Sequence, residues 1–206
     1  MDITTTSFAE GGVIPERCAL AMHHPETRVT FAGNANPQLE WTGAPEGTRS
    51  FAIIAHDYDV PSRGDDVNQP DREVPSELPR VDFFHWVLID LPPTRTSISE
   101  GEFAEGVVPG GRDAATTEGR QGLNDFTGWF AGDPEMGGDY FGYDGPAPPW
   151  NDSIVHRYRF TVYALDVDRL DVPAVFTGQD VRDATEGHVL DEAFVEGTYT
   201  QNPRLL

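Results

Sequence analysis

The sequence predicts an all-β, loop-rich fold. Glycine (21) and proline (17) are abundant, several short segments are rich in β-branched and aromatic residues, and the only good helix signals lie near the C-terminus. The 206 residues fit one domain, residues 1–206, because no linker separates two apolar patterns. Hydrophobic residues make up 38% of the chain, which is enough for one core.

Five segments are expected to form strands, and they span residues 28–32, 39–41, 51–56, 83–90 and 157–165. The runs FAIIAHD and FHWVLID are nearly continuously apolar, which is typical of strands buried on both faces. In HRYRFTVYALD, His156, Tyr158 and Phe160 share one face, while Arg157 and Arg159 share the other. That alternation predicts a strand with one covered face.

Two polar stretches, at about 62–82 and 110–122, are predicted to be exposed loops. Thr177 or Asp180 is expected to cap a helix that runs through Thr185. A second short helix is expected over residues 188–194, after a break at Gly187. The predicted order is therefore strands first and short helices at the C-terminus.

Charge is the strongest compositional feature. Asp and Glu number 35 against 14 basic residues, all of them arginine, and the net charge is -21. This excess argues against nucleic acid and against stable association with anionic membranes. Because the acidic residues are spread along the chain and lysine is absent, a halophilic archaeal protein is favoured over an ordinary acidic one. At molar salt the screening length falls to about 3 Å, so a local pocket decides binding.

The sequence contains no signal for export or for a membrane span. Its single cysteine, Cys18, excludes an intramolecular disulfide. The start, MDITTTSFAEGG, lacks the basic and apolar regions of a secretory signal. No segment approaches the ~20 apolar residues of a membrane span. A cytoplasmic location is expected.

Polar residues follow or interrupt the apolar strands at three places. Asp57 and Asp59 come directly after a buried strand and point the same way if the strand continues, and Pro61 stiffens the turn. These carboxylates either serve a site or cap backbone amides in an Asx-type turn. His85 lies inside an apolar strand, where a histidine is more often a hydrogen-bonded core residue than a ligand.

The third place is YDGPAPPWNDSIVHRYRF, where a rigid glycine–proline loop precedes a strand that begins with His156 and Tyr158. In chain order, Asp-x-Asp-x-Pro, His-Trp, Gly-Pro-x-Pro-Pro and His-Arg-Tyr together resemble the phosphatidylethanolamine-binding family, in its prokaryotic YbhB/YbcL-like branch. The resemblance covers about residues 28–200. It implies a mainly antiparallel β-sandwich of Greek-key type with a pocket at one edge.

The resemblance also implies a ligand site. The matching positions are Asp57, Asp59, Pro61, His85, Gly145, Pro146, Ala147, Pro148, Pro149, His156 and Tyr158. In the family, the first aspartate, the two histidines and the tyrosine line a site for phosphate-like anions. The chain departs from the family at Tyr58 and Val60, which should reshape the rim, at Ala147, which removes a thiol, and at a bulkier loop over residues 150–155.

These residues suggest how an anion would be held. His85, His156 and Tyr158 are expected to donate hydrogen bonds to it, while Asp57 orients an imidazole. Binding should tighten as the pH falls from about 7.5 to 6, through the histidine range.

Several functions are compatible with the sequence. The leading hypothesis is non-catalytic binding of a small phosphate-like or phosphorylated ligand, with modulation of an unidentified partner protein. The alternative is a small-molecule hydrolase using His85, His156 and Asp57 as acid–base groups, although no Gly-x-Ser-x-Gly elbow or nucleophile is evident. A zinc site from the same residues and a surface inhibitor are the remaining readings. No cofactor is expected, and the chain should be a monomer or a homodimer.

Overall fold

Ten strands and two short helices make up the computed structural model, which describes residues 1–206. The strands are β1 (Asp2–Thr4), β2 (Ala21–His24), β3 (Arg28–Phe31), β4 (Leu39–Thr42), β5 (Ser50–Pro61), β6 (Arg80–Leu91), β7 (Ser97–Ile98), β8 (Arg120–Gln121), β9 (His156–Leu165) and β10 (Val189–Tyr199). The helices are α1 (Phe126–Trp129) and α2 (Gly178–Thr185), and a 3-10 turn spans Glu16–Cys18. No helix is long and apolar enough to cross a membrane.

The central element is a five-stranded antiparallel sheet in the order β10-β9-β5-β6-β8. A three-stranded sheet, β1-β4-β7, and the β2-β3 hairpin complete the structure. The expectation of a mainly β fold is therefore confirmed, as are all five predicted strands, each within a longer or nearly coincident strand. Because the strands form three open sheets, the Greek-key sandwich stays a prediction.

Strand β5 is buried on both faces, as its apolar run predicts. Phe51, Ile53 and Ala55 belong to the largest core cluster, of 21 buried residues. The alternating residues Ala52 and Ile54 belong to a second cluster of 9 residues on the opposite face. Since successive side chains of a strand point to opposite faces, one continuous apolar segment anchors two cores.

Helix α2 begins where the sequence predicts. The Thr177 side chain accepts a hydrogen bond from the Asp180 amide, and the Asp180 carboxylate accepts from the Thr177 amide, which is a capping box. The prediction of a second helix over residues 188–194 is wrong. This segment is β10, which pairs with β9 from Val189 to Tyr199. Pairing along a neighbouring strand decided a short segment whose own sequence was ambiguous.

Both predicted loops end in strands. Arg80 to Asp82 belong to β6, and Arg120 and Gln121 form β8. The first loop is also tied down, since Val74 is fully buried and bridges Asp152. Apart from Val74, the first loop is largely exposed as predicted, including Val81 and Asp82 at its end. In the second loop, exposure is confined to its middle, and Gln121 at its end is buried.

Candidate functional site

A cavity of about 220 Å³ opens where β5, β6 and β9 meet the glycine–proline loop. Its base is formed by Asp57, His85, His156 and Tyr158, which are between 0% and 4% exposed. Strand pairing brings these positions together, because Asp57 lies opposite Phe83 on β6 and opposite Tyr158 on β9. Residues up to about 100 positions apart along the chain thus share one base.

Most of the residues predicted for the site line this cavity. The cavity wall includes Asp57, Pro61, His85, Ala147, Pro148, Pro149, His156 and Tyr158. Asp59 and Gly145 lie outside it. The structure therefore brings together the predicted His/His/Asp/Tyr group and the end of the rigid loop.

Asp59 faces away from the cavity, contrary to the expectation that it points the same way as Asp57. The pairing of β5 with β6 is irregular between Asp57 and Val60, and such a bulge re-aims side chains. The Asp59 carboxylate accepts from Arg157 Nε at 2.8 Å and from its terminal nitrogen at 2.7 Å. Asp59 is thus the partner of a surface arginine.

Gly145 lies behind the cavity wall. A Cβ atom there would come within 2.0 Å of the Cys18 carbonyl oxygen, so only glycine fits. Its amide donates to Asn34 Oδ1 at 2.8 Å. Tyr58 does not reshape the rim either, because its hydroxyl donates to Glu196 at 2.6 Å outside the cavity.

His156 is held between two carboxylates. Its Nδ1 lies 2.7 Å from Asp57 Oδ2, and its Nε2 lies 3.1 Å from Asp152 Oδ2. Arg80 in turn donates to both oxygens of Asp152, at 2.6 and 3.1 Å. Both ring nitrogens are thus engaged, which corrects the expectation that His156 donates directly to a ligand.

The neighbours of His156 make it cationic. Burial alone would lower the pKa of His156, but the charges and hydrogen bonds of Asp57 and Asp152 outweigh burial and raise the pKa to about 9. The same contacts act on Asp152, where hydrogen bonds from His156 and Arg80 overcome burial and lower the carboxyl pKa. His156 therefore carries a fixed positive charge at neutral pH.

His85 has the opposite character. Burial lowers its pKa, against the opposing charge of Asp57. Its ring is enclosed by three aromatic rings, those of Phe83, Phe126 and Tyr158, with centroids 5.0, 5.4 and 5.3 Å away. Its Nδ1 lies 2.7 Å from the Asp144 carbonyl oxygen. His85 is thus a neutral imidazole at neutral pH.

The Tyr158 hydroxyl is buried near the Asp57 carboxylate, but no protein atom meets it in hydrogen-bonding geometry, since both Asp57 oxygens are engaged by His156 and by the Asp59 amide. Burial and the nearby charge of Asp57 raise the pKa of Tyr158 well above its ordinary value, so the hydroxyl keeps its proton. An orphaned buried hydroxyl costs free energy unless a ligand or a water molecule pairs with it. At the base of a cavity, it points to an occupant that can accept a hydrogen bond.

The outer part of the cavity is apolar and aromatic. Phe83, Phe126 and Trp129 line it, and Trp129 is 54% exposed. Arg63 is exposed, lines the cavity and makes no ion pair. A ligand entering the cavity therefore passes an apolar wall and the unpaired Arg63 before it reaches the polar residues at the base.

Sequence reasoning missed the residues that set the state of the histidines. The sequence indicates only that Asp152 lies in a bulky loop and that Arg80 lies in an exposed one. The spacing of Asp152 and His156, four residues apart, was the available signal. Asp144 acts through its backbone carbonyl, for which no side-chain pattern exists.

No group of three or more His, Cys, Asp or Glu side chains is arranged to hold a metal ion. The Asp57 and Asp152 carboxylates are used by His156 and Arg80 instead.

Fold and site together define a mainly β protein with a small cavity, polar at its base and apolar along its wall, at the end of its central sheet. The chain belongs to the phosphatidylethanolamine-binding protein family, whose model matches residues 4–200, and within it to the YbhB/YbcL-like group.

Relatives and solved structures agree with this assignment. A UPF0098 protein of Methanothermobacter thermautotrophicus is 33% identical over 200 residues, which cover 97% of this chain and 98% of the relative. YbhB of Escherichia coli is 28% identical over 202 residues, covering 97% and 100%. The crystal structure of Escherichia coli YbcL aligns with a TM-score of 0.67 at 24% identity over 97% of each chain. That last likeness concerns the fold alone.

Proposed function

We propose that the cavity binds a small phosphate-like anion or phosphorylated group without transforming it. The observation that carries the proposal is the buried Tyr158 hydroxyl, which is unpaired. The Tyr158 ring lies 5.3 Å, centroid to centroid, from the ring of His85, whose Nδ1 alone is hydrogen-bonded. Two unused polar atoms at the base of an aromatic-walled cavity are the usual arrangement for orienting a small ligand. Membership of the family supports the same reading.

Binding without turnover fits the residues at the base better than hydrolysis does. The base contains two histidines, an aspartate and a tyrosine, and none of them is an activated serine, cysteine or lysine nucleophile. The chain's only cysteine, Cys18, is buried elsewhere, and burial raises its pKa to about 12. His156, the stronger base, is already protonated and bound to two carboxylates.

The test is calorimetric titration of methyl phosphate into the protein in concentrated sodium chloride. Replacing Tyr158 by phenylalanine removes one hydrogen bond to a charged group, so affinity should fall about tenfold. Tyr163→Phe is the matched control, since Tyr163 lies on the same strand but not on the cavity wall. It should leave affinity unchanged.

Affinity for methyl phosphate should also rise as the pH falls from 7.5 to 6. The charged groups at the bottom of the cavity cancel one another, so the anion is expected to bind together with a proton. If Tyr158→Phe leaves the affinity for methyl phosphate unchanged, or if Tyr163→Phe lowers it equally, the anion binds elsewhere.

A further inference from the structure

The base of the cavity offers few free hydrogen-bonding groups. Both nitrogens of His156 are taken by carboxylates. Both oxygens of Asp57 are also taken, one by His156 and the other by the Asp59 amide at 2.8 Å. What remains for a ligand is His85 Nε2 and the Tyr158 hydroxyl.

The backbone fixes which of these groups donates. The Asp144 carbonyl oxygen can only accept, so His85 Nδ1 must carry the hydrogen in their 2.7 Å contact. A neutral His85 then presents a bare lone pair at Nε2. The base of the cavity therefore offers one acceptor, His85, and one hydroxyl that can donate, Tyr158.

The charges at the base balance. Asp57 and Asp152 are negative, and His156 and Arg80 are positive and hydrogen-bonded to them. No positive charge is left over for a doubly charged guest. Arg63 carries the one unpaired charge on the cavity wall, and it lies at the exposed outer part.

We propose that this cavity selects an oxyanion that brings its own proton, namely the monoanion of a phosphomonoester, and rejects the corresponding sulfate ester. The inference rests on the proposed function and adds the class of ligand to it. The P–OH group donates to His85 Nε2, and a charged phosphoryl oxygen accepts from Tyr158. A single negative charge suits a base whose own charges cancel, because a second one would be desolvated without a partner.

A sulfate ester has the same shape and a single charge but no proton at neutral pH. Its oxygens can only accept, so one of them would face the His85 lone pair and leave that buried acceptor unpaired. Phosphate and sulfate esters therefore differ at the one contact that the Asp144 carbonyl dictates.

The protonation state of His85 depends on every charged group that faces it. The charged groups are Asp57 on β5 and His156 on β9, and the backbone of Asp144 and Gly145 in the loop adds hydrogen bonds. Tyr158 on β9 and Phe126 on α1 contribute uncharged rings. Burial lowers the pKa of His85 below its ordinary value in spite of Asp57, so the neutral ring predominates at pH 6.5 and above. In strongly acidic solution a protonated His85 would donate, and sulfate esters would then bind.

The experiment compares methyl phosphate with methyl sulfate by calorimetry at pH 6.5 in sodium chloride. The second pKa of a phosphomonoester is about 6, so roughly a quarter of the methyl phosphate is monoanion there. The dissociation constant for methyl sulfate should be at least tenfold larger than that for methyl phosphate. A second titration at pH 8, in two buffers of different ionisation enthalpy, should show close to one proton taken up for each methyl phosphate bound.

A ratio below tenfold, or methyl phosphate binding without proton uptake at pH 8, overturns the inference and leaves the proposed function standing. Failure of both esters to bind overturns the proposed function itself, and the inference with it. All of these titrations use the native chain, so none depends on whether a variant folds.

Discussion

At the scale of single residues, the two histidines of the cavity are set to opposite charge states by their neighbours. His156 lies between Asp57 and Asp152 and is an imidazolium. His85 lies among aromatic rings and is neutral. One residue type thus supplies a fixed charge at one position and a free lone pair at the other.

Replacing Asp152 by asparagine tests the state of His156. Asp152 is 1% exposed, and its loss leaves the buried imidazolium of His156 and the partly buried Arg80 without this carboxylate, so the free energy of unfolding should fall by about 3 kcal/mol. Asp166→Asn is the matched control, because it breaks a similar contact with His188 at 2.8 Å in which both side chains are nearly half exposed. Chemical denaturation should show almost no change for that variant.

The pH dependence of the unfolding free energy gives a second test of Asp152→Asn. The folded pKa of His156, about 9, lies above its unfolded value near 6.5. Its stabilising contribution is therefore complete below about pH 6.5 and is lost as the pH rises toward 9. Asp152→Asn should flatten the fall in stability over this window. An equally steep fall in that variant would show that Asp152 does not raise the pKa of His156.

The identity of the base residues could be predicted from sequence, but their roles could not. Asp57, His85, His156 and Tyr158 follow from motifs that stand at the ends of strands. That His156 is occupied on both sides, and that His85 accepts rather than donates, depends on Asp152 and on a backbone carbonyl. Such contacts arise only from tertiary structure.

At the scale of elements, the strands with continuous apolar runs were predictable because burial on both faces leaves a strong signal. Strand β10 was not, because its outer residues, such as Leu190 and Phe194, are exposed, and its alternation appears only when it pairs with β9. The bulge in β5 after Asp57 likewise leaves no signal in the sequence, so strand alternation predicts that Asp59 shares the site with Asp57, which it does not.

The glycine–proline loop is the element that fixes His85, through Asp144. Gly145→Ala would force a Cβ against the Cys18 carbonyl, which is backbone and cannot step aside. We expect a loss of about 3 kcal/mol in unfolding free energy, the upper end of the usual cost of overpacking, and weaker methyl phosphate binding.

Gly128→Ala is the control for that variant, because a Cβ there meets nothing within 4 Å. It should unfold within about 1 kcal/mol of the native protein. If a folded Gly145→Ala protein binds methyl phosphate as tightly as the native protein, the conformation of this loop does not control the site.

At the scale of the whole molecule, the charge of -21 opposes any anion at long range. Ten arginines form ion pairs with carboxylates of the protein, so their charge is already neutralised. Attraction of the ligand must therefore come from the contacts inside the cavity, and concentrated salt, which screens the surface charge, favours it. This is why each binding test is set in sodium chloride.

The most direct test of the account is nitrogen NMR of the protein labelled at its six histidines, titrated with methyl phosphate at pH 7. The free protein should show His156 with both nitrogens protonated and His85 with a bare Nε2. Saturation should move the His85 Nε2 resonance toward the hydrogen-bonded range and leave His156 an imidazolium. An unmoved His85 at saturation, or a His156 that is neutral in the free protein, would contradict it.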